Sequence, residues 1–401
     1  MPKTNKMQKK QKNKGINNKK LIQKKENNVY ILYTGGTIGM FHNDREGLVP
    51  NKKMLIKLIK GLKIPDYIKV KYSIEVLSDI IDSSNIQTQN WFTILQKLKE
   101  NYHKYDSFIV IHGTDTLAFT ASLLSFYCKN WRKSVVVTGS QIPMFEFRND
   151  AVRNIVDSVI ISVYNIPQVF IVFGGKCFRA NCTTKYSSTS FLAYRSPNIK
   201  SVGEFGVYLK LNYDVIDNGN VTLPNNIENN FPRSIKLSNW SSDIQISTIT
   251  IVPGYNWKRK AHLIFQEGTK PNAIILRSFG IGNAPVSSSE FIDFLKEAHK
   301  HKIIIVNTTQ CFEGGINMNV YKTGRLLKKN FVLTSSNMTY ESIYTKLFYL
   351  FQIVGKNKIG LVKKLFETNI AGEIPSDKYY KFSRKTMKKK NKEAFLQFQE
   401  I

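Results

Sequence analysis

Apolar residues along this chain fall into short unbroken runs, separated by longer stretches in which apolar and polar positions alternate at helical spacing. The run Asn28–Tyr33 (NVYILY) ends at a pair of glycines and predicts a buried strand. Similar runs recur at Phe108–His112 (FIVIH), Ser134–Thr138 (SVVVT) and Gln168–Phe173 (QVFIVF). Between them, Gln89–Tyr105 and Thr116–Lys129 have the length and amphipathic pattern of helices. Strands alternating with helices predict a parallel sheet covered on both faces. From about Leu211 to Asp243 the text turns polar (DVIDNGNVTLPNNIENNFPRS), which predicts a linker or long loop. The rhythm then resumes, with strands expected at Ile244–Val252, Asn272–Leu276, Ile303–Asn307 and Phe331–Thr334 and helices at Ser288–His301 and Tyr340–Val354.

The expected fold is therefore α/β, built as two α/β domains. A larger N-terminal domain at 28–210 would carry a mainly parallel sheet flanked by helices, and a smaller C-terminal α/β domain would occupy 244–377, with a linker at 211–243. Basic tails would cover 1–27 and 378–401. The length of 401 residues agrees, since it exceeds the usual size of one hydrophobic core.

Charge changes this picture only at the ends. The formal net charge is +30, and Lys keeps company with abundant Asn, Ile and Tyr, a mixture that an A+T-rich coding sequence produces. Residues 1–26 and Lys381–Lys392 (KFSRKTMKKKNK) are dense in lysine with hardly an acid between them. Such tails can find phosphate backbones or an anionic surface by long-range attraction. No aromatic side chains interleave the lysines to stack on bases, so a solvated tail is the plainer reading and nucleic-acid contact the rarer one. Four cysteines (Cys128, Cys177, Cys182, Cys311) form no C-x-x-C pair and lack partners at zinc spacing, which predicts reduced thiols, no metal and no cofactor. The basic start is followed by no apolar segment of signal-peptide type, and the apolar-rich stretch Ile155–Phe173 is broken by Asp157, Asn165 and Pro167. A cytoplasmic protein without membrane spans is expected.

In open parallel sheets ligands bind at the carboxyl ends of strands. Three loops at such ends carry candidate chemistry. Thr34-Gly35-Gly36-Thr37-Ile38-Gly39 offers two glycines that let backbone N–H groups approach a ligand, with a hydroxyl beside them; a plain strand-to-helix turn would look the same. It is neither a Walker loop, lacking Gly-Lys-Ser/Thr, nor a dinucleotide fingerprint, since its glycines are adjacent and Asp44 and Glu46 come too early. His112-Gly113-Thr114-Asp115-Thr116 places a hydroxyl and a carboxylate where a helix starts, a pattern that capping alone would explain. Arg179-Ala180-Asn181-Cys182-Thr183-Thr184-Lys185 supplies a lysine, usually just a surface residue. Together, two hydroxyls, a carboxylate and a lysine are the parts of a nucleophile–base–orienter relay without histidine.

The segments TGGTIGM, IHGTDTLAFTASLLSF, VVVTGSQIP, RANCTTK, SPN (Ser196–Asn198), ILRSFGIGNAP and NTTQCFEGGINMNVYKTG resemble, in that order, those of cytosolic (type I) L-asparaginases of the asparaginase/glutaminase family. The resemblance spans roughly residues 28 to 377. It implies an amidohydrolase that releases ammonia from free L-asparagine. Thr37 would attack the side-chain amide and form a β-aspartyl ester, while Thr114, Asp115 and Lys185 would relay protons. Ser83, with Asp82 and Ser84 beside it, would grip the α-carboxylate; Thr114 and Asp115 would contact substrate, with Asp115 on the α-amino group. Glu341 would reach that end of the substrate from a neighbouring subunit. Where many bacterial relatives have a tyrosine after the first loop, this chain has Leu48; Tyr321, in Val320-Tyr321-Lys322-Thr323-Gly324, matches the tyrosine of eukaryotic relatives, and the resemblance gives it the role of orienting phenol; an acid usual after the double serine is Asn85 here. His112 receives no catalytic part. Thr184, Arg277 and Cys311 match an allosteric asparagine site of bacterial members, with ordinary packing as the alternative.

The resemblance also implies a homo-oligomer, a dimer of dimers, with L-asparagine as small-molecule partner. Two rivals are an amidase that feeds ammonia to a tRNA-dependent reaction and a binding protein with dead chemistry. Residues 1–26 are too short and polar to form the extra domain expected of the first, and the four intact relay residues weigh against the second.

Overall fold

The computed structural model describes residues 26–217 and 240–375, apart from Glu46, Tyr67 and Thr269. Both basic tails and most of the expected linker lie outside these residues. The strands, in chain order, are β1 (Asn27–Tyr33), β2 (Met40–Asn43), β3 (Gly47–Pro50), β4 (Val70–Val76), β5 (Ser107–Ile111), β6 (Val135–Thr138), β7 (Val169–Phe173) and β8 (Lys176–Arg179). They continue with β9 (Thr184–Lys185), β10 (Tyr194–Arg195), β11 (Gly203–Phe205), β12 (Leu209–Leu211), β13 (Ile246–Thr250), β14 (Ala273–Ser278), β15 (Ile304–Thr309) and β16 (Leu333–Thr334).

The large sheet has eight strands in the order β12-β11-β8-β7-β6-β5-β1-β4. Strands β4, β1, β5, β6 and β7 run parallel, and β8, β11 and β12 add an antiparallel margin. Because residues of a strand alternate faces, the unbroken apolar runs must be covered on both sides. Strand β1 illustrates this. Tyr30 and Leu32 pack with helices Thr88–Glu100 and Leu117–Tyr127. Val29, Ile31 and Tyr33 pack on the opposite face with helices Lys52–Lys60 and Ala151–Ser162.

A second sheet, β13-β14-β15-β16, is wholly parallel. One face packs Ile249, Ile274 and Leu276 against helices Trp257–Ile264 and Ser289–Lys300. The other face, through Ala273, Ile275, Ile304 and Val306, joins the same apolar cluster as helix Leu117–Tyr127 of the first domain. Helix Tyr340–Val354 lies between them, with Phe348 against Trp91 and Tyr349 stacked on Phe126. One core thus binds the two sheets together, and each fully buried side chain of this size contributes about 1.5–3 kcal/mol relative to exposure.

The structure departs from the expected boundaries in two ways. Strand β4 was not among the expected strands: its sequence VKYSIEV alternates because Val70, Tyr72 and Ile74 pack on the core with one face while Lys71 and Ser73 are exposed on the other. The linker expected at 211–243 also begins too early. Leu211 closes β12, and helix Tyr213–Asp217 folds back so that Val215 and Ile216 enter the first domain's core. Two buried aliphatic residues outweigh the polar composition around them. Among the described residues no helix is long and apolar enough to cross a membrane.

Candidate active site

The carboxyl ends of β4, β1 and β5 lie side by side, and the loops leaving them are locked together through backbone. Gly35 and Gly36 both have positive φ, 138° and 94°, a region that side-chain-bearing residues rarely occupy. The space is also closed. A Cβ on Gly35 would stand 2.1 Å from the Ile81 carbonyl oxygen, and one on Gly36 would stand 2.4 Å from the Gly113 Cα. A Cβ on Gly113 would meet the Ser83 Oγ at 2.6 Å. Hydrogen bonds complete the clamp: the Thr34 N–H donates to Ile111 O at 2.9 Å and the Ile81 N–H to Thr34 O at 2.9 Å. Thr116 Oγ1 donates to Ser83 O at 2.7 Å. Thr37 and Thr114 each sit one residue beyond the point where Gly36 and Gly113 touch.

Thr37 opens a short 3-10 turn, Thr37–Gly39, and is half-buried. Its hydroxyl makes no hydrogen bond among the described residues. Thr114 is buried, and its Oγ1 accepts from Lys185 Nζ at 2.9 Å while donating to Gln141 Oε1 at 3.2 Å. Lys185 Nζ also donates to Asp115 Oδ1 at 2.8 Å. Lysine and aspartate, 70 residues apart in sequence, thus meet on the second loop because β9 returns alongside the start of helix Leu117–Tyr127. The lysine side chain is 18% exposed and the aspartate 64%, so the pair borders solvent. Ser83 is buried between the loops, whereas Asp82 and Ser84 are exposed. Asp82 Oδ1 accepts from the Ser84 N–H at 3.0 Å and so shapes the turn that carries Ser83.

His112 is buried beneath this site. A carbonyl can only accept, so Nδ1 must carry the proton in its 2.8 Å bond with Gly113 O. Nε2 then accepts from Thr120 Oγ1 at 3.0 Å, and that hydroxyl accepts in turn from Trp91 Nε1. Burial without a counter-charge pushes the imidazole down to about 4, partly opposed by the Gly113 carbonyl. His112 is a neutral strut under the glycine contact.

Two further residues touch the relay and went unselected in the sequence. Gln141 receives the Thr114 hydroxyl and anchors its own amide on the carbonyls of Ser188 and Ser190. Tyr194 donates its hydroxyl to Thr114 O from a fully buried position, where desolvation raises its phenol well above the usual range. The signal for Gln141 was available: GSQIP follows the buried strand β6 as the other loops follow theirs. Tyr194 sits on the two-residue strand β10, too short to carry a pattern.

The remaining candidates fall elsewhere. Glu341 is buried, and its Oε1 accepts from Thr184 Oγ1 of the same chain at 2.5 Å. Burial raises its carboxyl above the usual range, with Thr184 and the charge of Arg277 pulling the other way. Arg277 stands over the Tyr340 ring at 5.5 Å. Two of the three expected effector residues, Thr184 and Arg277, therefore face Glu341. Cys311 is exposed just past the end of β15, its N–H on Thr309 Oγ1. Tyr321 caps helix Lys322–Lys329 and is 54% exposed; its hydroxyl makes no hydrogen bond among the described residues. Leu48 lies on the β2–β3 hairpin and is also exposed.

Residues 28–217 match the family described as "Asparaginase, N-terminal", and residues 246–366 match "Glutaminase/Asparaginase C-terminal domain". L-asparaginase 1 of Escherichia coli (strain K12) is 34% identical over 89% of this chain and 100% of its own length. An L-asparaginase of Dirofilaria immitis is 32% identical over 88% of this chain and 61% of its own. The crystal structure of L-asparaginase I from Vibrio cholerae superposes with a TM-score of 0.73 and 31% identity, covering 88% of this chain and 100% of that one.

Proposed function

This chain belongs to the asparaginase/glutaminase family of amidohydrolases, and from that premise we propose that it hydrolyses free L-asparagine to L-aspartate and ammonia through a threonine-bound acyl intermediate. The observation that carries the reading is the Lys185–Thr114–Asp115 cluster on the loop packed against the Thr37 loop. Thr37 Oγ attacks the side-chain amide carbon. The carbonyl π bond becomes an oxyanion, the Thr37 proton moves through Thr114 toward Lys185, and the leaving amine takes a proton as the C–N bond breaks. A β-aspartyl ester remains on Thr37. Water then adds to the ester carbon, gives its proton to the relay, and releases aspartate and the threonine hydroxyl. Lys185, Thr114 and Asp115 are joined by hydrogen bonds along which such a proton can pass, so no histidine is required.

Ser83, with Asp82 and Ser84 in the same turn, is assigned to the α-carboxylate, and Asp115 to the α-amino group through a charge-assisted bond. The exposure of Asp115 beside a buried Ser83 supports that division. Tyr321 is assigned to orient Thr37, a role that requires its exposed ring to close over the site. Self-association is supported by large apolar side chains left bare, Phe147, Val207 and Tyr208, each more than four-fifths exposed. Regulation by asparagine at Thr184, Arg277 and Cys311 is supported by the direct sequence link from Thr184 to Lys185.

Ammonia release from asparagine by the purified chain tests the reading, with and without tRNA. Turnover independent of RNA supports it, whereas RNA dependence points to the amidotransferase rival and silence to dead chemistry. The Thr37→Ala variant should lose activity by roughly 10⁴-fold or more; retained turnover would refute the nucleophile. A sigmoidal asparagine curve that turns hyperbolic in Arg277→Gln would support the regulatory site.

A further inference from the structure

A cavity of about 280 Å³ opens at the edge of the large sheet opposite the active-site loops. Its walls come from the end of helix Leu117–Tyr127, from residues that precede β6 and β7, and from the turn after β8. Lys129, Arg132 and Arg179 line it together with Asn130, Asn181 and Gln168, and no acid lies among the lining residues. The carboxyl end of a helix adds about half a negative charge at most, against three cations.

Arg179 makes the cavity unusual. Its side chain is only 2% exposed, yet it has no carboxylate partner among the described residues. One guanidinium nitrogen donates to Gly372 O at 3.1 Å, another to Val215 O, and Nε is buried with no hydrogen-bond partner among the described residues. Glu373, next in sequence to Gly372, is already committed to Lys346 and to the N–H groups of Ile370 and Ala371. Arg179 is therefore left without a buried counter-ion among the described residues. A charge so placed is costly unless an anion approaches it.

Position gives the cavity a second meaning. Arg179 and Asn181 begin the segment that ends at Thr184 and Lys185. Thr183 Oγ1 donates to Arg179 O at 2.7 Å, and Thr184 and Lys185 then hold Glu341 and Thr114. A ligand drawing on Arg179 would bear on the same seven-residue strap that sets the relay lysine.

We propose that this cavity binds a small dianion, a phosphate or a dicarboxylate, on Arg179 with Arg132 and Lys129, and that its occupancy changes turnover through the 179–185 segment. The binding claim stands apart from the proposed reaction; the coupling claim rests on it. Isothermal titration of the full chain with sodium phosphate and with sodium succinate, against sodium chloride at matched ionic strength, tests binding. Saturable one-to-one binding of either anion, weakened tenfold or more in a K129Q/R132Q double variant, is expected, and the anion that saturates identifies the source. Heats like those of chloride overturn the site. So does saturable binding of equal strength in the double variant, which is the result if succinate enters the active site instead. At a saturating dose of the bound anion, kcat for ammonia release should shift at least twofold in the natural chain and not in the double variant. An unchanged kcat overturns the coupling.

Discussion

Two lysine–carboxylate pairs in this protein have the same chemistry and opposite surroundings. Lys346 and Glu373, 2.5 Å apart, are both 0% exposed. Lys346 also donates to Thr368 O, and Glu373 takes the N–H groups of Ile370 and Ala371, so every strong partner is internal. Lys185 and Asp115, 2.8 Å apart, border solvent and share their contact with a threonine hydroxyl. The first pair pins the segment 369–375 onto helix Tyr340–Val354 and has no proton to give a substrate. The second leaves donors and lone pairs open to solvent. An ion pair works as machinery only where part of its hydrogen-bonding capacity faces the groove; fully satisfied, it is a rivet.

The comparison is tested most severely by removing each lysine. Lys185→Met should lower kcat/KM for asparagine by roughly 10³–10⁴-fold, equivalent to about 4–5 kcal/mol, while denaturant unfolding stays near that of the natural chain. Loss of stability with preserved turnover would reverse the two roles. Lys346→Met should do the opposite. Leaving Glu373 buried without its cation costs about 3–5 kcal/mol in unfolding free energy, and the folded fraction should keep its turnover number. A joint Lys346→Met, Glu373→Leu variant should recover most of that loss, because the uncompensated charge is gone.

A smaller effect separates the strut under the site from the relay. His112 has its folded value lowered to about 4 from an ordinary 6.5. The unfolded chain takes up this proton below pH 6.5 while the folded one resists until about pH 4, so the stabilisation is present above 6.5 and is lost as pH falls through that window. The loss amounts to roughly 3 kcal/mol by pH 4, and His112→Asn should flatten that limb of the unfolding-versus-pH curve. A limb of unchanged slope would show that the ring is not held neutral. The smallest effect is expected at Thr184→Val, which leaves Glu341 without its hydroxyl donor. Stability should fall on the order of 1–2 kcal/mol, and a change in kcat beyond threefold would show that the buried acid also positions Lys185.

Legibility in the sequence followed burial. The strands β1, β5, β6 and β7 announced themselves as unbroken apolar runs because both faces are covered, whereas β4 did not because Lys71 and Ser73 are exposed on one face of it. Helix Tyr213–Asp217 was masked by its polar neighbours, and only Val215 and Ile216 hint at it. Thr37, Ser83, Thr114, Asp115 and Lys185 were singled out through motif and family likeness, and the fold brings Thr114, Asp115 and Lys185 into one cluster. Gln141 was passed over within a motif already quoted, and Tyr194 had no local pattern to betray it. For Glu341 the motif carried the residue type, and its contact with Thr184 came only from the fold.

By itself the sequence determined the α/β class, the parallel order of the central strands' elements, the strand-end loops that must hold the chemistry and the residue types available there. These depend on local periodicity and on backbone freedom at glycine, both of which are written residue by residue. Only the tertiary structure decided which lysine met a threonine and which met a sealed carboxylate, that His112 stays neutral, and that Arg179 lies buried beside a basic cavity. Those outcomes depend on distances between segments far apart in the chain and on how much water is excluded around a charge, quantities that come into being only when the two sheets close on a common core.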